Sequence, residues 1–241
     1  MFGRLRRAHP SVVAALVAAT VMTLAAAPSA QAADSTWTRI SGTGSTWAQN
    51  ALDQWRQDVA AKFGMTVNYA GVGSSAGRRD FISGTVDFAI SEIPFQSQPE
   101  DGSAPEIPSR GFAYLPTVAG ATSFAYHLTI DGKRVTDLRL SGDVITKIFS
   151  GRILAWNDPA IRADNPGLAL PDKAITPVVR SDGSGSTAQF TLWMSKQHAS
   201  VWTGGMTSQF PTPPNGKAQN GSLGVAGYVS QAYGDGAITY V

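Results

Sequence analysis

Three short segments rich in glycine and serine constrain this chain most. They are Gly42-Thr43-Gly44-Ser45-Thr46, Gly71-Val72-Gly73-Ser74-Ser75-Ala76-Gly77 and Asp182-Gly183-Ser184-Gly185-Ser186. Each lies between an apolar stretch and the start of a helical pattern. A turn of this kind carries the chain from a strand into a helix, and strands alternating with helices build a parallel sheet. Residues 33–92 accordingly read as βαβαβ. Strands are expected at 37–40, 65–69 and 86–90. Leu52, Trp55, Val59 and Phe63 recur at helical spacing until Gly64 stops the helix, and a second helix is expected over about 78–83.

The remainder suggests a second α/β unit. Residues 93–112 hold Pro94, Pro99, Pro105 and Pro108 and read as a long crossover between domains. Strands are expected at 112–116, 122–128 and 175–179. Ser141 suits the N-cap of a helix carrying Val144, Ile145, Ile148 and Phe149, which Gly151 ends. Helices at 187–195 and 223–229 flank a loop-like stretch over 203–222. The expected organisation is domain one at 33–112 and domain two at 113–236. Residues 237–241 read as a strand beginning a return crossover to domain one, with the remainder missing. The fold class is α/β, in two domains with mainly parallel sheets and a hinge.

The N-terminus reads as a targeting segment. Arg4, Arg6 and Arg7 precede an Ala- and Val-rich run, and Ala30-Gln31-Ala32 supplies a small-x-small cleavage pattern. Residues 1–32 are therefore expected to be a signal peptide, with a product that is soluble in the periplasm or outside the cell. Its removal takes away three Arg and no acid, so the formal charge falls from +2 to −1. A near-neutral product has no broad basic field for nucleic acid. Any anion must be gripped locally. The chain has no Cys, hence no disulfide, thiolate metal site or lipid-anchoring cysteine. His9, His127 and His198 show no metal spacing, and no metal or cofactor is expected.

The three turns carry the chemistry. A helix start exposes unpaired N–H groups and the positive end of the helix dipole. Glycine allows close approach of an anion, and hydroxyls add donors. Arg180 stands just before the third turn, where its planar fork can grip a tetrahedral oxyanion, and Asp182 can orient that fork. Glu92 follows the strand at 86–90. An ionised carboxylate only accepts hydrogen bonds. It therefore favours an anion that still carries a proton, as phosphate does near neutral pH, over sulfate, which carries none.

In this order the motifs resemble those of the periplasmic phosphate-binding proteins that serve ABC-type phosphate importers, a type II periplasmic-binding-protein family. The resemblance is carried by the stretch from Ile40 to Trp47, by the second turn, by Gly84-Thr85-Val86-Asp87-Phe88, by the run from Phe149 to Ile161 and by Arg180-Ser181-Asp182-Gly183-Ser184-Gly185-Ser186-Thr187. It implies a monomeric binding protein that does no chemistry and captures inorganic phosphate for a membrane permease. It further implies ligand contacts from Thr46, Trp47, Ser74, Arg180, Ser184, Gly185 and Ser186, with Asp182 orienting Arg180. Trp47 stands where the family usually has Phe, and Ser186 where it has Thr. Glu92 stands where the family has the Asp that accepts the ligand proton, and its extra methylene moves the carboxylate outward by about one bond.

Alternatives with the same fold are capture of another tetrahedral oxyanion, such as sulfate or molybdate, and a phosphate-sensing surface module. An alternative of a different class is a serine hydrolase. Gly73-Ser74-Ser75-Ala76-Gly77 fits G-x-S-x-G, which would make Ser75 the nucleophile, with Asp182 as acid and His198 as base.

Overall fold

The computed structural model describes residues 37–241; the expected signal peptide at 1–32 and its cleavage point lie outside the described residues. The described chain holds two main sheets. The first follows the expected βαβαβ order: β1 (Ile40–Gly44), α1 (Gln49–Phe63), β2 (Val67–Gly71), α2 (Ser74–Ile82) and β3 (Phe88–Ile90). Its strands are parallel, in the order β2-β1-β3. β1 starts later than expected and takes in Gly42 and Gly44, so part of the first glycine-rich segment is strand rather than turn. α2 begins directly at Ser74 inside the second turn.

The second sheet contains β4 (Phe124–Tyr126), β7 (Thr176–Arg180), β8 (Lys217–Gln219) and β9 (Ala237–Tyr240), in the order β4-β9-β7-β8. β7 runs parallel to β8 and β9, and β4 is antiparallel to β9. The strand expected at 237–241 forms, as β9. β9 is an inner strand of the second sheet, and all four of its residues are buried.

Four helices accompany this sheet: α3 (Gly142–Phe149), α4 (Pro159–Asp164), α5 (Gly185–Gln197) and α6 (Gly221–Ser230). α3 buries Val144, Ile145, Ile148 and Phe149, as its spacing requires. α4 was not anticipated. Asp158 caps it by accepting from Ala160 N at 2.8 Å, and Pro159 opens it. A small hairpin of β5 (Thr129–Ile130) and β6 (Lys133–Arg134) was also missed. Asp131 and Gly132 both take positive φ (49° and 74°), as a tight hairpin turn demands.

The buried apolar clusters among the described residues belong to the second sheet. Trp156, Phe149, Phe190 and Tyr240 lie at its centre with Leu128, Ile148 and Ile238. Trp156 Nε1–H donates to Gly236 O at 3.0 Å, which satisfies the buried indole. The first sheet is thinner. α1 buries none of its residues, and Trp55 and Phe63 are exposed. α2 instead approaches β1 so closely that side chains are excluded. A Cβ on Gly77 would lie 2.5 Å from Gly44 Cα and 2.9 Å from Thr43 O.

The connection between β3 and β4 has no regular structure. The strand expected at 112–116 does not form; Phe112 and Tyr114 pack their rings with Phe81 and Phe95 instead. Glu106 pins the connection. Its Oε2 accepts from Arg78 Nε and from Gln96 N, both at 2.8 Å.

Gly77→Ala should therefore destabilise the protein by about 1–3 kcal/mol, because backbone atoms must move to admit the methyl group. Urea unfolding followed by circular dichroism measures this. An unchanged midpoint would refute the close packing of α2 on β1.

Candidate functional site

The carboxyl ends of β1, β2, β3 and β7 lead into one region. The first turn is fixed from two sides. Ser45 N–H donates to Ile90 O at 2.8 Å, and Tyr69 O–H donates to Ser45 O at 2.8 Å. Burial, then the negative charges of Glu92 and Asp53, hold the Tyr69 phenol protonated well above its usual range. The third turn leaves β7 at Arg180 and enters α5 at Gly185. Ser184 caps α5 by accepting from Thr187 N at 3.2 Å. Beneath it, the Tyr240 and Thr187 hydroxyls lie 2.7 Å apart, and burial above all pushes the Tyr240 phenol up to about 12.

Arg180 is the centre of this region. Its Nε donates to Asp182 Oδ1 at 2.7 Å and a terminal nitrogen donates to Oδ2, a bidentate pair with side chains only 2% and 7% exposed. The same terminal nitrogen reaches Thr46 Oγ1 at 3.0 Å, in the first turn. The other lies 3.4 Å from Ser222 Oγ. Two N–H groups at the start of α6 complete the junction: Gly221 N–H donates to Asp182 Oδ1 at 2.9 Å and Ser222 N–H to Thr46 Oγ1 at 3.1 Å. Burial by itself would raise the Asp182 pKa. The hydrogen bonds from Arg180 and Gly221 and the guanidinium charge outweigh it and hold the carboxyl below its usual range.

Glu92 forms a second centre. Its Oε1 accepts from Ser45 Oγ at 2.6 Å and lies 3.5 Å from Ser186 Oγ. Its Oε2 accepts from Ser74 Oγ. A Cβ on Gly185 would meet Glu92 Oε2 at 2.0 Å and Glu92 Cβ at 2.8 Å, so a side chain at that position would displace Glu92. Gln189 Nε2 donates to the Glu92 carbonyl at 3.0 Å and ties α5 to the first sheet's loop. A cleft of about 760 Å³ opens beside these residues, lined in part by Trp47, Glu92, Ser186 and Phe190.

Thr46, Ser74, Glu92, Arg180, Asp182, Gly185 and Ser186 are thus linked across the two sheets. Trp47 lines the adjoining cleft, and its ring covers Gly120. Ser184 N–H is committed to Ser208 O at 3.0 Å, which leaves only its hydroxyl for a ligand. The sequence reading missed Ser45 and Ser222 as partners. Asn220-Gly221-Ser222 before an apolar run is the same kind of helix-start signal as the other turns, but it was read as loop.

The hydrolase triad does not assemble. The Asp182 carboxylate is taken up by Arg180 and Gly221, while the His198 ring packs on Trp193, with centroids 4.8 Å apart, and beside Gly142. Ser75 N–H donates to Gly183 O at 3.1 Å.

A family model described as a PBP superfamily domain matches residues 25–241. The chain belongs to the PBP superfamily. The chain is 37% identical over 207 residues to the phosphate-binding protein PstS of Xylella fastidiosa, covering 84% of this chain and 53% of that one. It is 34% identical over 227 residues to PstS of Haemophilus influenzae, covering 91% and 62%. This PBP-superfamily chain therefore spans little more than half the length of these curated relatives. Among solved structures, a phosphate-binding protein from Stenotrophomonas maltophilia superposes with a TM-score of 0.60 at 22% identity, over 85% of this chain and 60% of that one. A human phosphate-binding apolipoprotein gives 0.60 at 21%, over 84% and 56%. These structures share the α/β architecture with parallel sheets expected from the sequence.

The depressed Asp182 pKa has a pH signature. The folded value lies below the unfolded one, near 3.9. Its stabilisation is therefore complete above that value and lost as pH falls through the folded one. Asp182→Asn should cost about 3 kcal/mol at pH 7, because it leaves the buried guanidinium without its counter-charge. The deficit relative to wild type should shrink below about pH 4. Urea titrations at pH 7 and pH 3 check this; a deficit independent of pH would contradict the assignment.

Proposed function

We propose that this protein captures inorganic phosphate between its two lobes and delivers it to an ABC-type permease. The proposal includes the domain organisation expected from the sequence, with one lobe around each main sheet. One observation carries it. A buried guanidinium, locked by Asp182, sits where three helix starts and the first turn converge, and it reaches across to Thr46. The N-termini of α2 and α5, at Ser74 and Gly185, face the same region, and that of α6 spends its Gly221 and Ser222 N–H groups on Asp182 and Thr46. Such an arrangement binds a tetrahedral oxyanion through main-chain N–H groups, hydroxyls and one fixed positive charge. The relatives named phosphate-binding proteins support phosphate as that oxyanion.

In this reading the residues in contact with phosphate are Thr46, Trp47 through its N–H, Ser74, Arg180, Ser184, Gly185 and Ser186, with Glu92 beside them. Asp182 holds Arg180 in place. The protein acts as a single copy, outside the cytoplasmic membrane, and does no bond-making chemistry. Closure of one lobe on the other removes water from the anion, and the permease supplies the energy for import.

Arg180→Ala should weaken phosphate binding by about 100-fold or more, because the desolvated anion loses its charge partner. Isothermal titration calorimetry with phosphate, and then with sulfate and molybdate, measures the effect. An unchanged phosphate affinity in the variant would overturn the site. Tighter binding of sulfate or molybdate than of phosphate would redirect the ligand assignment.

A further inference from the structure

Resting on the phosphate reading, we infer that Glu92 is an internal occupant of the anion cradle, whose carboxylate competes with the incoming anion and thereby sets the affinity of the site. Three of the hydroxyls on hand for an oxyanion already face a negative group of this chain. Ser45 Oγ donates to Glu92 Oε1 at 2.6 Å, Ser74 Oγ donates to Oε2, and Ser186 Oγ lies 3.5 Å from Oε1. Ser45, Ser74 and Ser186 are all buried, at 1%, 1% and 6% exposure. The carboxylate also presses on the first residue of α5, where a Cβ on Gly185 would come within 2.0 Å of Oε2. Donors from both lobes converge on it as they would on a ligand.

Two anions cannot share these donors. Like charges at hydrogen-bond distance disfavour one another strongly in a buried site. Phosphate gains Ser74 and Ser186 only when the Glu92 side chain leaves them. Space for that movement is at hand, since Glu92 lines the cleft of about 760 Å³. Its main chain can stay in place, held by Gln189 through the carbonyl at 3.0 Å. Affinity then depends on how often the side chain is out of the cradle. A side chain that holds the donors about nine-tenths of the time lowers the apparent affinity about tenfold.

This role is separable from that of a proton acceptor. An acceptor that touches the ligand strengthens phosphate binding, so its deletion weakens it. An internal competitor weakens the binding of every oxyanion, so its deletion strengthens it for phosphate and sulfate alike. The test is calorimetric titration of the full chain with inorganic phosphate and with sulfate, for wild type, Glu92→Ala, Glu92→Asp and Arg180→Ala. Glu92→Ala should bind phosphate at least tenfold more tightly than wild type, with a gain for sulfate as well. Glu92→Asp, whose shorter side chain withdraws from Ser74 and Gly185, should show a smaller gain and decides the matter if the Ala variant does not fold. Phosphate affinity equal to or weaker than wild type in the folded Glu92 variants overturns the inference. If wild type binds phosphate and Arg180→Ala does not, the phosphate reading survives that outcome. If neither wild type nor any Glu92 variant binds phosphate, both fall.

Discussion

The buried pairing of Arg180 with Asp182 organises everything around it. A guanidinium removed from water must have its charge and its N–H groups answered. Asp182 answers two of them in a fixed fork, and two more point to Thr46 and Ser222. One side chain at the end of β7 thereby ties together the third turn, the start of α6 and the first turn of the other sheet. Such a pair contributes little net stability against an apolar replacement. Its value is orientation: the positive charge is aimed by covalent geometry and two hydrogen bonds rather than by a flexible stem.

The two main sheets are held by different means. Around the second sheet, large apolar residues from α3, β7, α5 and β9 form a packed core. The first sheet depends on close backbone packing at Gly77 and on polar ties. Arg78, Glu106 and Gln96 fasten the long connection, and Glu100 accepts from Ser208 N at 2.5 Å, in the loop after α5. Hydrogen bonds from Ser45, Thr46 and Ser74 then lead into the same polar centre that is proposed to hold the ligand. Polar junctions can be exchanged for contacts to a bound anion at little net cost, whereas an apolar interface would resist opening.

Elements with a strong apolar pattern were legible beforehand. α3 and β7 lie close to their expected positions because their buried faces leave the sequence little freedom. β8 was not legible. Lys217-Ala218-Gln219 has no alternation, and it becomes a strand only because β7 offers a parallel partner. The β5–β6 hairpin carried a readable Asp131-Gly132 signal that was overlooked. The apparent strand at 112–116 failed because its aromatic residues found ring partners in Phe81 and Phe95 before any strand partner. The helical spacing of α1 was read correctly, yet spacing could not tell that Trp55 and Phe63 would stay exposed.

For the site, the sequence by itself determined which groups stand at the strand ends: three glycine–serine turns, one arginine with an aspartate two residues on, and one glutamate. Local rules suffice for that, because a turn between strand and helix depends on neighbouring residues alone. Only the tertiary structure decided how those groups meet. It brought Thr46 to Arg180 and Ser222, added Ser45, and turned the Glu92 carboxylate onto Ser45, Ser74 and Ser186. The meeting of these turns is set by the packing of segments remote in sequence, and no local pattern of residues encodes it.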